Sequence, residues 1–351
     1  MSCRFLTAIV TLAAIALPVA AQPAAPAKKT PTSKKWIPPL TSDGQPDLQG
    51  VWLDNSATPL ERPKALEGRQ FLTDAEVLEL RQRADRLFKS GADNDFAAGD
   101  NVFLAALANP GQYRNPNATG GSDLMIDREF DNRTSLIVDP LDGKIPPLTA
   151  EAQRRRSETS GALGAGLGAP TRVQDLNNAL RCITAGVPRL GGRYGAGDFG
   201  YYQIVQAPGY VVLFMELIHE ARIIPLDGRP HLPPSVRAWE GDSRGRWEGK
   251  TLVVDTTNFS PKSNFMGSSE NLHLVERLTR IAASEIRYEI TLDDATTWTR
   301  PWSAMIRLKQ THEKIYEFAC HEDNRPLEGI LAGARAEEKA AEEAASRRSH
   351  Q

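Results

Sequence analysis

Cysteine is scarce in this chain, at three of 351 residues, and no two of the three lie close enough in sequence to form a thiolate metal cluster. Histidine is also scarce, at six, and no His-Glu-x-x-His pattern is present. There is no Gly-x-Ser-x-Gly elbow, so Asp242-Ser243 does not read as a serine-hydrolase nucleophile. The glycine-rich run Gly161–Gly168 has no Gly-Lys-Ser/Thr after it and no strand leading into it, which excludes a phosphate-binding loop and leaves a flexible connector. No charge of one sign is in excess: 42 basic against 44 acidic side chains give a net charge of -2. Such a balance offers no footprint for phosphate backbones or anionic lipid, so nucleic acid is not expected as a partner. The N-terminal apolar run, Phe5 to Val19, is shorter than the roughly 20 residues a helix needs to cross a bilayer.

What is present begins with that run. Arg4, the apolar stretch and Val19-Ala20-Ala21-Gln22 together predict a secretory signal over residues 1–21, cleaved after Ala21, hence a periplasmic or secreted protein with no transmembrane segment in the mature chain. Cys3 leaves with the signal. Cys182 and Cys320 remain, and in an oxidising compartment they can pair; two separately buried thiols are the alternative. Residues 22–35, rich in Ala, Pro and Lys without periodicity, read as a disordered linker. The 40% hydrophobic content suffices for one or two cores.

Residues 36–185 read as a region of helix, loop and short strand. Asp43-Gly44-Gln45-Pro46-Asp47-Leu48-Gln49-Gly50-Val51-Trp52 carries two turn signals and then an apolar pair, which suits a turn feeding a short strand anchored by Trp52. Thr73-Asp74-Ala75-Glu76 is a capping box, followed by Leu80, Ala84, Leu87 and Phe88 on one helical face, with Gly91 as the stop. Ala92 to Asn132 is expected to be mostly loop, and Thr149 to Arg156 a short helix. A weak repeat relates Ile137–Pro147 to Ile223–Pro233, each with an Asp-Gly turn after an apolar pair.

Residues 186–325 are read as an antiparallel β-barrel. Its strands are Tyr202–Ala207, Tyr210–Leu217, Ala221–Leu226, a pair around Glu248-Gly249, Leu272–Arg280, Ile286–Leu292, Trp302–Lys309 and Lys314–Cys320. Neighbours in sequence should pair, and closure into a barrel able to hold one small ligand satisfies that order; a β-sandwich is the alternative. Residues 326–351 read as a charged helical tail. The fold class is therefore mainly β, a lipocalin-like antiparallel barrel with N-terminal helices and long loops.

Several segments carry a resemblance: Asp43–Trp52, Arg133-Thr134-Ser135-Leu136-Ile137-Val138-Asp139-Pro140, Gly241-Asp242-Ser243-Arg244-Gly245-Arg246-Trp247-Glu248-Gly249, Asp255-Thr256-Thr257-Asn258-Phe259 and Thr297-Trp298-Thr299-Arg300-Pro301-Trp302. Together they resemble an exported, largely uncharacterised bacterial protein family, over most of the mature chain. That resemblance implies no catalytic residues. The strand-rich half is also loosely similar to lipocalin-like (calycin) barrels, which include small-molecule binders and a few lyases, cyclases and hydrolases.

Candidate chemistry comes from polar residues at positions the alternation buries. Leu272, Leu274 and Leu278 share a face with Glu276, so one carboxylate points inward; burial raises a carboxyl pKa toward a range useful for proton transfer. A structural pair of Glu276 with Arg222 or Arg307 explains the same pattern. His219-Glu220 ends a long apolar strand, where imidazole and carboxylate can act as base and partner. His321 shares a face with Glu317 and Ala319. The resulting expectation is an exported enzyme without metal or cofactor. It catalyses acid-base chemistry of lyase, isomerase or hydrolase type on a partly hydrophobic small molecule. His219, Glu276 and His321 are its acid-base candidates, Arg222 and Asn258 orient or stabilise charge, and Trp302 supplies a stacking wall. A non-catalytic ligand carrier or envelope-interaction protein is the competing class.

Overall fold

The computed structural model describes residues 36–89, 101–108, 128–159, 170, 172–190, 200–263, 265–268, 270–322 and 324–349. The expected signal, the linker and the glycine-rich run lie outside them, as does most of the expected loop over residues 92–132. Strands are β1 (Gly50–Leu53), β2 (Ile137–Asp139), β3 (Tyr201–Ala207), β4 (Tyr210–Met215), β5 (Glu220–Pro225), β6 (Asp242–Glu248), β7 (Thr251–Thr257), β8 (His273–Ala282), β9 (Glu285–Asp293) and β10 (Trp302–Thr311). Helices are α1 (Asp74–Lys89), α2 (Asn101–Ala108), α3 (Ala150–Thr159) and α4 (Arg325–Ser349).

Nine strands follow one another in the order β5-β4-β3-β1-β10-β9-β8-β7-β6 and curl into a nearly closed antiparallel barrel, with β2 added beside β10. The period-two pattern sets the inside. Leu274, Glu276 and Leu278 of β8 and Ile286, Tyr288, Ile290 and Leu292 of β9 are buried, while their neighbours in sequence are not. The same alternation carries Trp302, Ala304, Ile306 and Leu308 of β10 into a continuous core with Trp52 of β1. The hairpins at Pro208-Gly209 and Glu248-Gly249-Lys250 use a left-handed glycine, Gly209 at φ 79° and Gly249 at φ 60°.

Because nine alternating strands leave the first and last running the same way, the barrel would close between parallel neighbours, β5 and β6. The two approach without joining the hydrogen-bonded ladder. Gly245 permits the approach: a Cβ there would lie 2.5 Å from Leu226 Cδ2 and 2.8 Å from Ile224 Cγ2. The chain from Leu226 to Gly241 crosses from one barrel end to the other, held by Asn258 Nδ2 donating to the Leu232 carbonyl at 2.7 Å.

Two expectations need correction. The barrel is not confined to residues 186–325, since β1 inserts between β3 and β10, with Trp52 opposite Tyr202 on one side and Gln310 on the other. Lys314–Cys320 is not a strand. The edge of β10 that it would have needed is taken by β1 and β2. The segment instead runs as an irregular strap, pinned by Tyr201 Oη on Glu313 at 2.7 Å and by the Tyr316 amide on Glu216 at 2.9 Å.

The capping box is formed, Glu76 Oε2 accepting from the Thr73 amide at 2.8 Å while Thr73 Oγ1 accepts from the Glu76 amide at 3.3 Å. α1 and α2 enclose a second small core around Leu80, Ala84, Phe103 and Phe130. Both Asp-Gly turns of the repeat exist, with Gly143 at φ 70° and Gly228 at φ 73°. Among the described residues no helix is long and apolar enough to cross a membrane.

Candidate polar site inside and at the end of the barrel

Glu276 lies at the middle of β8, fully buried. Arg222 of β5 reaches across the seam to it, donating from Nη1 to Oε1 at 2.9 Å and from Nη2 to Oε2 at 2.6 Å. Arg222 Nη2 also donates to Ser243 Oγ of β6 at 3.1 Å and Thr256 Oγ1 of β7 at 3.2 Å. One guanidinium thus ties β5 to β6, β7 and β8, where the β5–β6 ladder is missing. Burial works against its charge, but the adjoining Glu276 carboxylate prevails and raises the Arg222 pKa. Tyr288 donates its hydroxyl to Glu276 Oε1, and burial together with the Glu276 charge pushes its pKa well above the usual phenol range. Arg307, the other arginine considered for Glu276, lies instead beside Glu285 at 3.6 Å.

The polar cluster continues toward the end of the barrel where β5 begins. The Cys182–Cys320 disulfide, Cα to Cα 5.6 Å, anchors a loop that places Thr184, Ala185 and Arg189 there. Arg189 is buried and pairs with Glu220 at the start of β5, while its Nη2 donates to the Leu217 carbonyl at 3.0 Å. Glu220 Oε1 accepts from the Ala185 amide at 2.9 Å. Glu240, arriving from the crossover, lies close enough to Glu220 to feel its charge and accepts from Thr184 Oγ1 at 2.9 Å. The Glu240 pKa is raised, first by burial and then by the Glu220 charge. Immediately before Glu220, Ile218 and His219 adopt left-handed backbone at φ 62° and 44°, a conformation strained for a β-branched residue.

Tyr202 and Asp54 complete the cluster. Trp52 faces Tyr202 across the β1–β3 pair and Asp54 follows two residues on, its amide donating to the Gly200 carbonyl at 3.0 Å. Asp54 is therefore the diagonal neighbour of Tyr202 on the inner side. It is fully buried, and burial pushes its carboxyl up to about 7, against the opposing charges of Arg128 and Arg133. Tyr202 packs edge-on to Tyr288 with centroids 6.3 Å apart; its pKa is raised by burial and feels the charges of Arg189, Asp54, Glu276 and Arg222.

Of the residues singled out in the sequence, only Glu276 and Arg222 meet. His219 is exposed, with Nδ1 3.1 Å from the Phe318 carbonyl, and His321 is exposed. Neither is among the hydrogen-bond partners of Glu276. Asn258 serves the crossover, and Trp302 sits in the core edge-to-face with Trp298 at 5.5 Å. A separate histidine group lies outside the barrel wall: His231 Nδ1 is 2.9 Å from Asp242 Oδ2, and both His231 Nε2 and His273 Nε2 approach Asp255 Oδ1, at 3.0 and 3.1 Å. Hydrogen bonding to Asp255 raises the His273 pKa and that to His273 lowers that of Asp255. Among the described residues no group of three or more His, Cys, Asp or Glu is arranged to hold a metal ion.

Sequence reasoning missed Asp54, Arg189, Tyr202 and Glu240. Only Asp54 had a legible signal, its place two residues after Trp52 on the same strand face.

Comparison of the chain with known protein families and with curated proteins found no match. The architecture itself is compatible with a lipocalin-like barrel.

Proposed function

We propose that this is an exported enzyme that binds a small, partly hydrophobic molecule at the polar end of the barrel and transfers a proton to or from it, as in elimination, isomerisation or hydrolysis. The observation that carries the reading is the Glu240 carboxyl set beside that of Glu220, a pair held by Arg189, Thr184 and the Ala185 amide. A carboxyl kept protonated above its ordinary range serves as an acid, and after losing that proton as a base, near the pH at which the enzyme works. Glu240 is the proton-transferring group here, burial, the Glu220 charge and Arg222 set its affinity for the proton, and the strained Ile218-His219 turn fixes where Glu220 stands. In this reading Glu276 holds Arg222 rather than reacting.

The test is incubation of the purified, disulfide-intact protein with aromatic, terpenoid and glycosidic small molecules, with products followed by mass spectrometry. Glu240→Gln should reduce turnover at least a hundredfold, the usual contribution of a positioned acid or base. If Glu240→Gln keeps full turnover on a substrate that the wild type converts, the assignment fails. Ligands that co-purify and remain chemically unchanged would favour a carrier.

A further inference from the structure

Beside the Glu240–Glu220 pair, several buried polar atoms have no hydrogen-bond partner among the described residues: Asp54 Oδ2, Tyr202 Oη, Nε and Nη1 of Arg189 and Nε of Arg222. All four residues are more than nine-tenths buried. They lie at neighbouring inner positions, and Tyr202 feels the charges of Arg189, Asp54 and Arg222. Asp54, just past the end of β1, is the diagonal neighbour of Tyr202 on β3, Tyr202 is paired with Met215 of β4, and Met215 is paired with Glu220, which holds Arg189. An unsatisfied buried polar group costs about 1–3 kcal/mol, so several in one place are a feature that needs an occupant.

Three properties define that occupant. First, the orphans include donors, on Tyr202 and Arg189, and a carboxyl oxygen on Asp54, so the group they meet must both accept and donate. Second, the cations around the cluster are matched by carboxyl groups, Arg222 by a two-pronged bond to Glu276, Arg189 by Glu220 and Arg133 by Asp131, while Arg128 acts on Asp54 itself, so the site is not built around an excess of positive charge for an anion. Third, the walls beside Tyr202 are Trp52 and Met215, both buried and apolar. We infer that this cluster recognises the hydroxyl group of a neutral, largely apolar alcohol, which accepts from Tyr202 and Arg189 and bonds Asp54 Oδ2. The inference rests on the proposed small-molecule site and specifies the class of molecule it takes. A hydroxyl suits Asp54 in either protonation state, because it accepts from the acid and donates to the carboxylate.

The experiment uses cyclohexanol, cyclohexanecarboxylate, cyclohexylammonium and methylcyclohexane as size-matched probes, with binding to the disulfide-intact protein followed by nuclear magnetic resonance titration. Cyclohexanol should bind at least tenfold more tightly than the other three. Tyr202→Phe keeps the ring and removes only the unpartnered hydroxyl. It should weaken cyclohexanol binding about tenfold while leaving Tm unchanged or higher. Equal or tighter binding of a charged probe, unchanged cyclohexanol affinity in Tyr202→Phe, or no binding of any probe would overturn the inference. The two readings fail separately: a Glu240→Gln protein with full turnover removes the acid-base reading and leaves alcohol recognition, whereas the Tyr202→Phe outcome bears on recognition alone.

Discussion

Glu276→Gln should be among the most damaging single substitutions in the barrel wall. The side chain is fully exchanged from water, and its partner Arg222 keeps only 5% side-chain exposure, so the variant leaves a buried guanidinium without its counter-charge. Breaking a buried pair in this way costs about 3–5 kcal/mol. Against a total stability of about 5–15 kcal/mol, that is a large fraction. At about 2–4 °C per kcal/mol for a domain of this size class, Tm should fall by roughly 6–20 °C. Removing both charges is different in kind. In Arg222→Met/Glu276→Leu, Ser243 Oγ and Thr256 Oγ1 lose the Arg222 donor but still bond each other at 2.9 Å, and only the Tyr288 hydroxyl is left without its partner. The double variant should therefore recover at least about 2 kcal/mol relative to Glu276→Gln, because an apolar pair often replaces a buried ion pair at little cost. The assay is denaturant unfolding of wild type, Glu276→Gln, the two single variants Arg222→Met and Glu276→Leu, and the double variant, the last three, against wild type, giving the coupling energy directly. A loss below about 1 kcal/mol in Glu276→Gln, or a double variant whose loss equals the sum of the singles, would refute the argument. If the double variant folds and keeps turnover, Glu276 is structural.

Asp54 sets a pH dependence. Its folded pKa, up to about 7, exceeds the ordinary 3.8, so between those values the folded chain binds more protons than the unfolded one. The stabilisation is complete below pH 3.8 and is lost as pH rises through about 7, on the order of 4 kcal/mol in all. Asp54→Asn should flatten that decline in unfolding measurements from pH 4.5 to 8, and a slope identical to wild type would contradict the assignment. Gly245→Ala should destabilise the protein by about 1–3 kcal/mol, since the new methyl group lands on Ile224 and Leu226 across the seam. Hydrogen exchange should speed up in β5 and β6 first, and unchanged exchange there would mean that the seam is not packed as described.

The parts of the fold legible in the sequence are those set by local pattern. Thr73 and Glu76 announce α1 because a capping box needs only four residues, and the run from Asp242 to Thr311 reads correctly as a meander because each strand pairs with the next. β1 was legible as a strand but not in its place, since nothing local to Gly50–Leu53 records partners in β3 and β10. Lys314–Cys320 failed for the complementary reason: alternation proposes a strand, but a strand also needs an unoccupied edge. The candidate site was less legible still. Arg222 and Glu276 stand out as charges among apolar neighbours, whereas Arg189 and Glu240 sit in loops with no periodicity to violate. Their environment is created by the disulfide-anchored loop and the crossover, which meet only in three dimensions.

The position of β1 also governs when the molecule can become whole. Val51 pairs with Thr311, so the first strand of the chain waits for the last one, and until then the edge of β1 that faces β10 is unpaired. Pairings so distant in sequence form slowly, and open edges invite association with other chains. Nascent protein would thus spend most of its synthesis as an incomplete sheet. A helper that shields sheet edges should raise the yield of folded protein more than one that only catalyses disulfide formation.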